Sequence, residues 1–310
     1  MPTVSIRHRT TYRYRNPVSF GDHRMMFRPR ESYDQRLLSA ELIIEPAPVL
    51  LRNVHDVFGN CVAIARFASW SDHLTFESRV QLEHTPTPAF VDFEGQIEPY
   101  AMGGRYPYSP EDMPDLAQSI DRQFDDPDCL VDAWARRFVR RVGPTGLEEL
   151  LTGMTRAIHA DFDYAKRLHG APQSPVETLQ RRAGSCRDFA VLMIEAVRSL
   201  GLAAGFVSGY VYSTRPKTHG VVGGGHTHAW VRVYLPASGW VEFDPTNGLI
   251  GASNLIRVAV ARDPRQALPL HGTWSGAASD ALGMDVEVHV DAIPQECVQP
   301  LAPIRLAAGG

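Results

Sequence analysis

Apolar and polar residues alternate through most of the first part of the chain, which is the pattern of strands with one buried face. The alternation is clearest at Leu74, Phe76, Val80 and Leu82. Residues that favour β-structure occupy positions 10–14 and stop at Asn16-Pro17, and a second apolar run stops before Pro46. Strands this short and this closely spaced predict an antiparallel sandwich or barrel over residues 3 to about 83.

Helical spacing replaces this alternation in the middle of the chain. The pattern predicts a helix over about 130–142 and another that starts at Thr145, where Glu148 completes a capping box. A shorter helix is predicted to begin at Ser174, with a proline in its first turn, and to end at a left-handed Gly184.

Cys186 lies at the start of the next predicted helix. Ser185 is placed to cap this helix, and Asp188 follows three residues later, as in a capping box. Apolar residues then recur at helical spacing until Gly201, at Phe189, Ala190, Met193, Ile194, Val197 and Leu200. The unpaired N–H groups and the positive dipole end of a first turn favour thiolate, the nucleophilic form of cysteine. The alternative is a small buried cysteine that only packs against the sheet.

Two segments rich in β-formers, on either side of residues 235–239, form a hairpin whose register is selected by the apolar pattern. If Tyr234 faces Trp240, one face of the hairpin is wholly apolar, with Val231, Val233, Val241 and Phe243. The opposite face then brings His228 and Asp244 together as diagonal neighbours. A slip of one residue would mix polar groups into the apolar face.

Cys186, His228 and Asp244 supply a nucleophile, a base and an orienting acid. An imidazolium holds a thiolate, and a carboxylate fixes the tautomer of the histidine. The backbone N–H of Cys186 is a natural oxyanion donor, whereas no second donor is identified by the sequence. Trp230 and Trp240 are interpreted either as walls of this site or as packing residues.

Simpler interpretations of the same residues stay open. His228 is also compatible with a hydrogen-bonded strand histidine, and Asp244 before Pro245 is typical of a turn. His226 and His228 with Cys186 and Asp244 have the ligand types of a zinc site, although no spacing motif supports one. Acidic residues are not clustered at calcium-loop spacing, so we expect no metal and no cofactor.

Composition narrows the class of protein. The chain has 310 residues, 44% of them apolar, and a formal net charge of −4 with both signs mixed along it. This composition indicates a folded protein of about two domains and excludes a typical nucleic-acid or membrane-surface binder. The arginines between Arg7 and Arg30 indicate the solvent face of strands rather than a polyanion site. Four scattered cysteines argue against a disulfide framework, and the absence of a signal peptide or a long apolar run predicts a cytoplasmic protein.

Prolines without a clear period mark a boundary between two parts of the chain. The domains expected are a β-rich N-terminal domain at 1–84, a linker at 85–126, a core at 127–255 and a C-terminal extension at 256–310. Alternation at Met284, Val286, Val288 and Val290 predicts a strand in the extension. We expect the tail after Pro300 to be poorly ordered and the glycine-rich loop 214–227 to be a mobile flap beside the site.

Three stretches of the core carry a family resemblance. They are Ala183-Gly-Ser-Cys-Arg-Asp-Phe-Ala, then Leu200-Gly-Leu with Val207-Ser-Gly-Tyr, and then His228-Ala-Trp-Val with Trp240-Val-Glu-Phe-Asp-Pro-Thr-Asn. Together they resemble the bacterial transglutaminase-like superfamily. The opening resembles the β-rich domain often fused to that core, at Ile6-Arg-His-Arg-Thr-Thr-Tyr-Arg-Tyr, Arg28-Pro-Arg and Asp56-Val-Phe-Gly-Asn.

This resemblance implies an α+β fold with a papain-like, transglutaminase-like core, in which a helix bundle packs on an antiparallel sheet. A β-sandwich-like N-terminal domain would precede that core. Carried over by position, Cys186 matches the nucleophile, His228 the base and Asp244 the orienting acid. Arg187 is expected to bear on substrate preference more than on mechanism.

The expected function is thiol-dependent acyl transfer on a carboxamide or peptide bond through a thioester at Cys186. The substrate would be a protein, a peptide or a small amide, and nucleic acid and membranes are not expected partners. With water as acceptor the same site makes a cysteine protease or amidase. A third alternative is a non-catalytic scaffold that keeps the fold. The oligomeric state is not defined by the sequence.

Overall fold

The structure, a computed structural model, is an α+β protein with two large antiparallel sheets. It describes residues 2–85, 95–99, 106–167, 170–212 and 226–293. The tail after Pro300, Cys297 and nearly all of the predicted flap lie outside these residues. The described helices are α1 (Met113–Ile120), α2 (Leu130–Arg136), α3 (Leu147–Asp161), α4 (Pro175–Arg181) and α5 (Cys186–Ser199). The strands are β1 (Thr3–Met25), β2 (Gln35–Glu45), β3 (Leu50–His55), β4 (Cys61–Arg66), β5 (Trp70–His84), β6 (Gln96–Ile97), β7 (Thr145–Gly146), β8 (Asp163–Tyr164), β9 (Ala183–Gly184), β10 (Ala204–Val211), β11 (Thr227–Leu235), β12 (Gly239–Asp244), β13 (Leu249–Ile250), β14 (Leu255–Ala261), β15 (Leu270–Ser275) and β16 (Ala281–Ile293).

The N-terminal sheet has the strand order β2-β5-β1-β4-β3, and β15 and β16 also pair with β1. Strand β1 pairs with β5 and β16 along its first half, and with β4 and β15 near its end. This change of partners folds the sheet around an apolar cluster that includes Tyr14, Val18, Phe20, Met25, Phe67, Leu74 and Phe76. The N-terminal part therefore has the sandwich-like form that the alternation predicts.

The sequence predicts that the first strand ends at Asn16-Pro17. In the structure, strand β1 continues to Met25. Its register with β5 shifts between Arg13 and Val18. Pro17 lies in that interval, where its missing N–H breaks no ladder hydrogen bond. The proline thus marks an irregularity inside one long strand.

The core sheet has the order β13-β12-β11-β10-β14, and helix α5 packs across β10 and β11. Helices α2 and α4 also pack against α5, so that the helix is buried along nearly all of its length. The predicted helix bundle on an antiparallel sheet is confirmed. This packing fixes the position of Cys186, the first residue of α5, relative to the sheet.

Three predicted helix boundaries are wrong. Helix α2 stops at Arg136 rather than near residue 142, and the chain continues in tighter turns. Helix α3 starts at Leu147, because the Thr145 hydroxyl accepts a hydrogen bond from the Arg140 backbone N–H (2.7 Å) instead of capping the helix. The predicted C-cap of α4 is also wrong, since Arg182, not Gly184, takes the left-handed conformation (φ 49°).

The two large sheets are joined along the edge strand β14. Asn60 donates to the Val260 carbonyl (2.7 Å) and accepts from the Val260 N–H (2.9 Å), as a neighbouring strand would. Gln35 does the same for Arg257, at 3.1 and 2.7 Å. These two side chains satisfy backbone groups that the edge of a sheet leaves unpaired.

The chain after residue 255 contributes strands to both sheets. Strand β14 extends the core sheet, whereas β15 and β16 return to the N-terminal sheet, and β16 contains the alternating residues Met284, Val286, Val288 and Val290. The stretch predicted as a linker contains the helix α1. Within the described residues, no helix combines the length and the apolar character needed to cross a bilayer.

Candidate active site

Cys186 is the first residue of α5, and the turn before it is fixed by Asp188. The Asp188 carboxylate accepts hydrogen bonds from the backbone N–H (2.7 Å) and the hydroxyl (2.8 Å) of Ser185. The predicted pairing of Ser185 with Asp188 is confirmed. Cys186 is 8% exposed, with its backbone N–H at a helix end that offers no acceptor within the helix.

Gly184 allows the close approach of this turn to α5. A Cβ at Gly184 would lie 2.8 Å from the Asp188 Cβ and 3.2 Å from the Phe189 ring. Gly184 also pairs with Tyr164 in the short parallel sheet of β8 and β9. The glycine is therefore required by space rather than by a left-handed conformation.

The register of the β11–β12 hairpin is the one that the sequence predicts. Tyr234 pairs with Trp240, and Val231 pairs with Phe243. Continued along both strands, this register brings His228 to the end of β12 where Asp244 lies.

His228 Nε2 donates a hydrogen bond to the Asp244 carboxylate at 2.8 Å, and both side chains are fully buried. Asp244 also accepts from the backbone N–H groups of Thr246 (3.0 Å) and Asn247 (3.3 Å) and from the Asn247 side-chain amide (2.7 Å). Asn247 was not anticipated from the sequence. Its side-chain amide donates to Asp244 Oδ2, the same carboxylate oxygen that His228 contacts.

The charges of this buried pair support each other. Burial opposes a charged imidazole, but the carboxylate of Asp244 and the thiol of Cys186 outweigh it and raise the pKa of His228 to about 10. Burial also opposes the charge of Asp244, yet the charge of His228 and the hydrogen bonds from His228 and Asn247 hold the pKa of Asp244 below its ordinary value. An imidazolium beside a carboxylate is therefore the favoured form at neutral pH.

Cys186 and His228 line one cavity of about 190 Å³, and Asp244 lies behind the histidine. The remaining ring nitrogen, His228 Nδ1, is buried and has no other hydrogen-bond partner among the described groups. The nearby thiol of Cys186 contributes to the raised pKa of His228. The three residues predicted from the sequence thus lie together in space.

One wall of the cavity comes from the N-terminal sheet. Thr10 and Tyr12 of β1 and Met284 and Val286 of β16 are among its lining residues. This contribution was not anticipated from the sequence, because it depends on how the two sheets pack.

Tyr164 is a further polar residue of the cavity that the sequence analysis missed. Its ring packs edge-on against Phe189 of α5, with 6.4 Å between ring centroids. Burial, together with the charges of Cys186 and Asp244, raises the pKa of Tyr164 to about 12. The Tyr164 hydroxyl therefore keeps its proton at neutral pH and is able to donate a hydrogen bond in the cavity.

The remaining candidates take different places. Trp230 is fully buried and stacks on His228, with 5.9 Å between ring centroids, whereas Trp240 packs against Arg232, outside the cavity lining. His226 contacts the amino group of Lys166. Across the described part of the chain, no group of three or more histidine, cysteine or acidic residues has the geometry of a metal site.

Comparison with known proteins identifies both parts of the chain. Residues 4–83 match the family model of the bacterial transglutaminase-like N-terminal region. Residues 132–245 match the model of the transglutaminase-like superfamily. The second range contains Cys186, His228 and Asp244.

Relatives and a solved structure extend this likeness to the whole chain. An uncharacterized protein of Mycobacterium tuberculosis is 29% identical over 301 residues, which cover 94% of this chain and 92% of the relative. A protein of Mycobacterium leprae is 33% identical over 133 residues, or 43% of this chain and 47% of the relative. The solved structure of a candidate cysteine protease from Cytophaga hutchinsonii matches with a TM-score of 0.65 at 18% identity, over 94% of this chain and 91% of that chain. At this identity the structural likeness shows a shared fold.

Proposed function

This chain belongs to the transglutaminase-like superfamily, and from that premise we propose that it is a thiol-dependent acyl-transfer enzyme acting on carboxamide or peptide bonds. Cys186 is the nucleophile, His228 the general acid and base, and Asp244 the orienting acid. The observation that carries the proposal is the buried His228, hydrogen-bonded to Asp244 at 2.8 Å and sharing a cavity with Cys186.

The first half-reaction breaks the amide bond. The Cys186 thiolate attacks the carbonyl carbon, and its electron pair forms the C–S bond while the carbonyl oxygen becomes an oxyanion. The Cys186 backbone N–H at the start of α5 and the Tyr164 hydroxyl are the donors we assign to that oxyanion. As the C–N bond breaks, His228 gives its proton to the nitrogen, and ammonia or an amine leaves behind a thioester.

The second half-reaction releases the acyl group. Neutral His228 removes a proton from the acceptor, either water or a primary amine, as the acceptor attacks the thioester carbonyl. The C–S bond then breaks and Cys186 leaves as thiolate. The products are a carboxylic acid with water, or a new amide with an amine, and His228 is again protonated beside Asp244.

One feature of the cavity favours water as acceptor, and with it a cysteine protease or amidase. Lys166, Arg167 and Arg187 contribute three basic side chains to the lining, and no described lining residue is acidic. A primary amine is mostly protonated at neutral pH and is repelled by this field. Water is uncharged and is not repelled.

The test is mass spectrometry of a glutamine-containing protein incubated with this enzyme, with and without a labelled primary amine, beside a Cys186→Ala control. Amine incorporation that depends on Cys186 supports transfer to amines. Cleavage or deamidation without amine uptake supports the hydrolase. If a broad panel of proteins and peptides gives no difference from the Cys186→Ala control, the proposal fails in favour of a non-catalytic scaffold.

A further inference from the structure

Among the described residues that line the cavity around Cys186, the lysine and arginine side chains have no acidic counterpart. The basic ones are Lys166, Arg167 and Arg187, and the described lining contains no aspartate or glutamate. The other titratable groups that line it are Tyr12, Tyr164 and the histidines at 8, 226 and 228.

These basic residues are not equally neutralised. Arg167 forms an ion pair with Asp188 at 2.6 Å. Arg187 donates to two backbone carbonyls, of Arg167 and Gly170, both at 3.0 Å. Lys166 contacts the His226 ring. In the described parts of the chain, no carboxylate forms an ion pair with Arg187 or Lys166.

The Arg187 side chain is fixed by two hydrogen bonds and still has unused N–H donors. Its two carbonyl contacts use one N–H of each terminal nitrogen, whereas a guanidinium carries five N–H donors. Arg187 directly follows Cys186 in the chain. A fork of donors fixed beside the nucleophile suits a carboxylate, which it can bind through two hydrogen bonds.

The cavity also has apolar lining residues. Phe206, Leu268, Leu270, Met284 and Val286 line it. Apolar walls lower the local dielectric and strengthen the attraction between a basic side chain and an anion. A substrate that matches both the basic and the apolar lining residues has an anionic group and an apolar portion.

We propose that the site selects amide substrates that carry a carboxylate next to the scissile bond, with Arg187 as its anchor, Lys166 as a second cation and the apolar portion against the wall from the N-terminal sheet. This inference rests on the proposed function. The carboxylate has two sources in peptides, an acidic side chain or a free C-terminus. Both present the same chemistry to Arg187.

The test measures binding rather than turnover, in the Cys186→Ala protein. Three peptides share a glutamine and a neighbouring leucine. The first adds a glutamate and has an amidated C-terminus, the second has glutamine in place of that glutamate and a free C-terminus, and the third has neither carboxylate. Titration calorimetry at low and high salt gives each Kd. We expect one or both carboxylate peptides to bind about tenfold or more tightly than the third, with the difference shrinking in salt.

Variants locate the anchor. Arg187→Gln should remove about tenfold in affinity for the carboxylate peptides and little for the third, and Lys166→Gln should act in the same direction more weakly. Arg156→Gln removes an exposed cation that does not line the cavity, and it should change none of the Kd values. Circular dichroism checks each fold, and if Arg187→Gln unfolds, Lys166→Gln and the peptide comparison still decide.

Equal binding of the three peptides would overturn the inference, as would an equal loss for all three in Arg187→Gln. The peptide that binds more tightly identifies the source of the carboxylate. Because the Cys186→Ala protein performs no chemistry, this result is independent of whether acyl transfer occurs. Turnover of the third peptide at the same kcat/KM as the others in the active protein would also contradict it.

Discussion

His228 and Asp244 are sixteen residues apart in the chain, yet they are joined by a 2.8 Å hydrogen bond in a fully buried position. Two buried ionisable groups are tolerated in such a position only when each offsets the cost of burying the other. Their direct contact, with further hydrogen bonds to the carboxylate from the Asn247 side chain and the Thr246 backbone N–H, meets that condition. The pair places a charged imidazole at the cavity that Cys186 lines.

The first prediction concerns the dependence of activity on Asp244. In the native protein the favoured imidazolium persists until pH rises through the pKa of His228, about 10, so the alkaline loss of activity should begin only near that pH. Asp244→Asn removes the counter-charge, leaves burial to lower the pKa of His228, and should move the alkaline limb to lower pH by at least about one unit. We expect kcat at pH 7 to fall by about 10²-fold or more.

The matched control is Glu242→Gln, which changes a buried carboxylate two residues earlier on the same strand. Glu242 pairs with Arg257 rather than with His228. Its replacement should leave the pH–rate profile in place even where it lowers stability. Superimposable profiles for Asp244→Asn and the native protein would contradict the assigned role of Asp244.

Cys186 should react with iodoacetamide at pH 7 at least about tenfold faster than Cys129. This order of reaction rates is the reverse of the order expected from solvent exposure, because Cys186 is buried and Cys129 is exposed. The physical reason is the imidazolium of His228, which stabilises the thiolate of Cys186. Peptide mapping after timed alkylation measures both rates, and His228→Ala should reduce the rate at Cys186 alone. A faster Cys129 would count against an activated thiol.

Asn247→Ala should reduce kcat about tenfold and leave KM nearly unchanged, because Asn247 positions Asp244 without lining the cavity. The variant should also shift the alkaline limb of the pH profile slightly downward, since a less ordered carboxylate supports His228 less well. Steady-state kinetics across pH separates these effects. A rise in KM with unchanged kcat would instead place Asn247 in substrate binding.

Two buried histidines at the junction of the sheets should make the fold sensitive to acid. His8 and His84 donate to or accept from the hydroxyls of Tyr210 and Tyr212, both at 2.9 Å, and burial lowers the pKa of each histidine to about 4. The unfolded chain binds protons at these groups from pH 6.5 downward, whereas the folded chain does not until about pH 4. Stability should therefore fall as pH drops from 6.5 to 4, by up to about 3 kcal/mol for each histidine.

Urea unfolding at pH 7 and pH 4.5 measures this loss. The double variant His8→Asn with His84→Asn should be less stable at pH 7 but should lose much less stability on acidification. Carboxylates with a lowered pKa, such as Asp244, add to the acid-induced loss of stability only below this pH window, because the stabilisation they give is lost as pH falls below their ordinary pKa. An unchanged acid sensitivity in the double variant would contradict the assignment.

Asn60→Ala should destabilise the junction of the two sheets by about 2–4 kcal/mol, because it leaves the buried N–H and carbonyl of Val260 without partners. Asn53→Ala changes an exposed asparagine on the preceding strand and should cost less than about 0.5 kcal/mol. Chemical denaturation of both variants provides the comparison. Equal stability of the two variants would show that Asn60 does not hold the edge of β14.

The sequence predicts the parts of the site that local patterns encode. Alternation along the hairpin is enough to place His228 beside Asp244, and capping chemistry is enough to place Cys186 at a helix start. The predicted end of β1 is wrong because Pro17 lies at a shift in strand register, where the strand continues past it. The predicted start of α3 is wrong because the Thr145 hydroxyl accepts a hydrogen bond from the Arg140 backbone N–H. In both cases a contact formed only in the folded chain overrides the local signal.

Other features of the site depend on packing between distant segments. Tyr164 reaches the cavity only because β8 pairs with β9, and Met284 reaches it only because β16 returns to the N-terminal sheet. Asn247 lies in a turn whose partner is fixed by the hairpin. Such long-range contacts leave no periodic signal in the sequence, so they emerge only from the three-dimensional structure.

The most direct measurement is to trap the covalent intermediate. The protein is mixed with a glutamine-containing peptide, or with an analogue in which an ester replaces the reactive amide, and the reaction is quenched in acid within seconds. The intact mass of the protein is determined, and the adduct is then located by peptide mapping. The account predicts an added mass equal to the acyl group, located at Cys186 and absent in Cys186→Ala, and released by hydroxylamine as a thioester should be. An adduct at another residue, or turnover with Cys186→Ala, would contradict it.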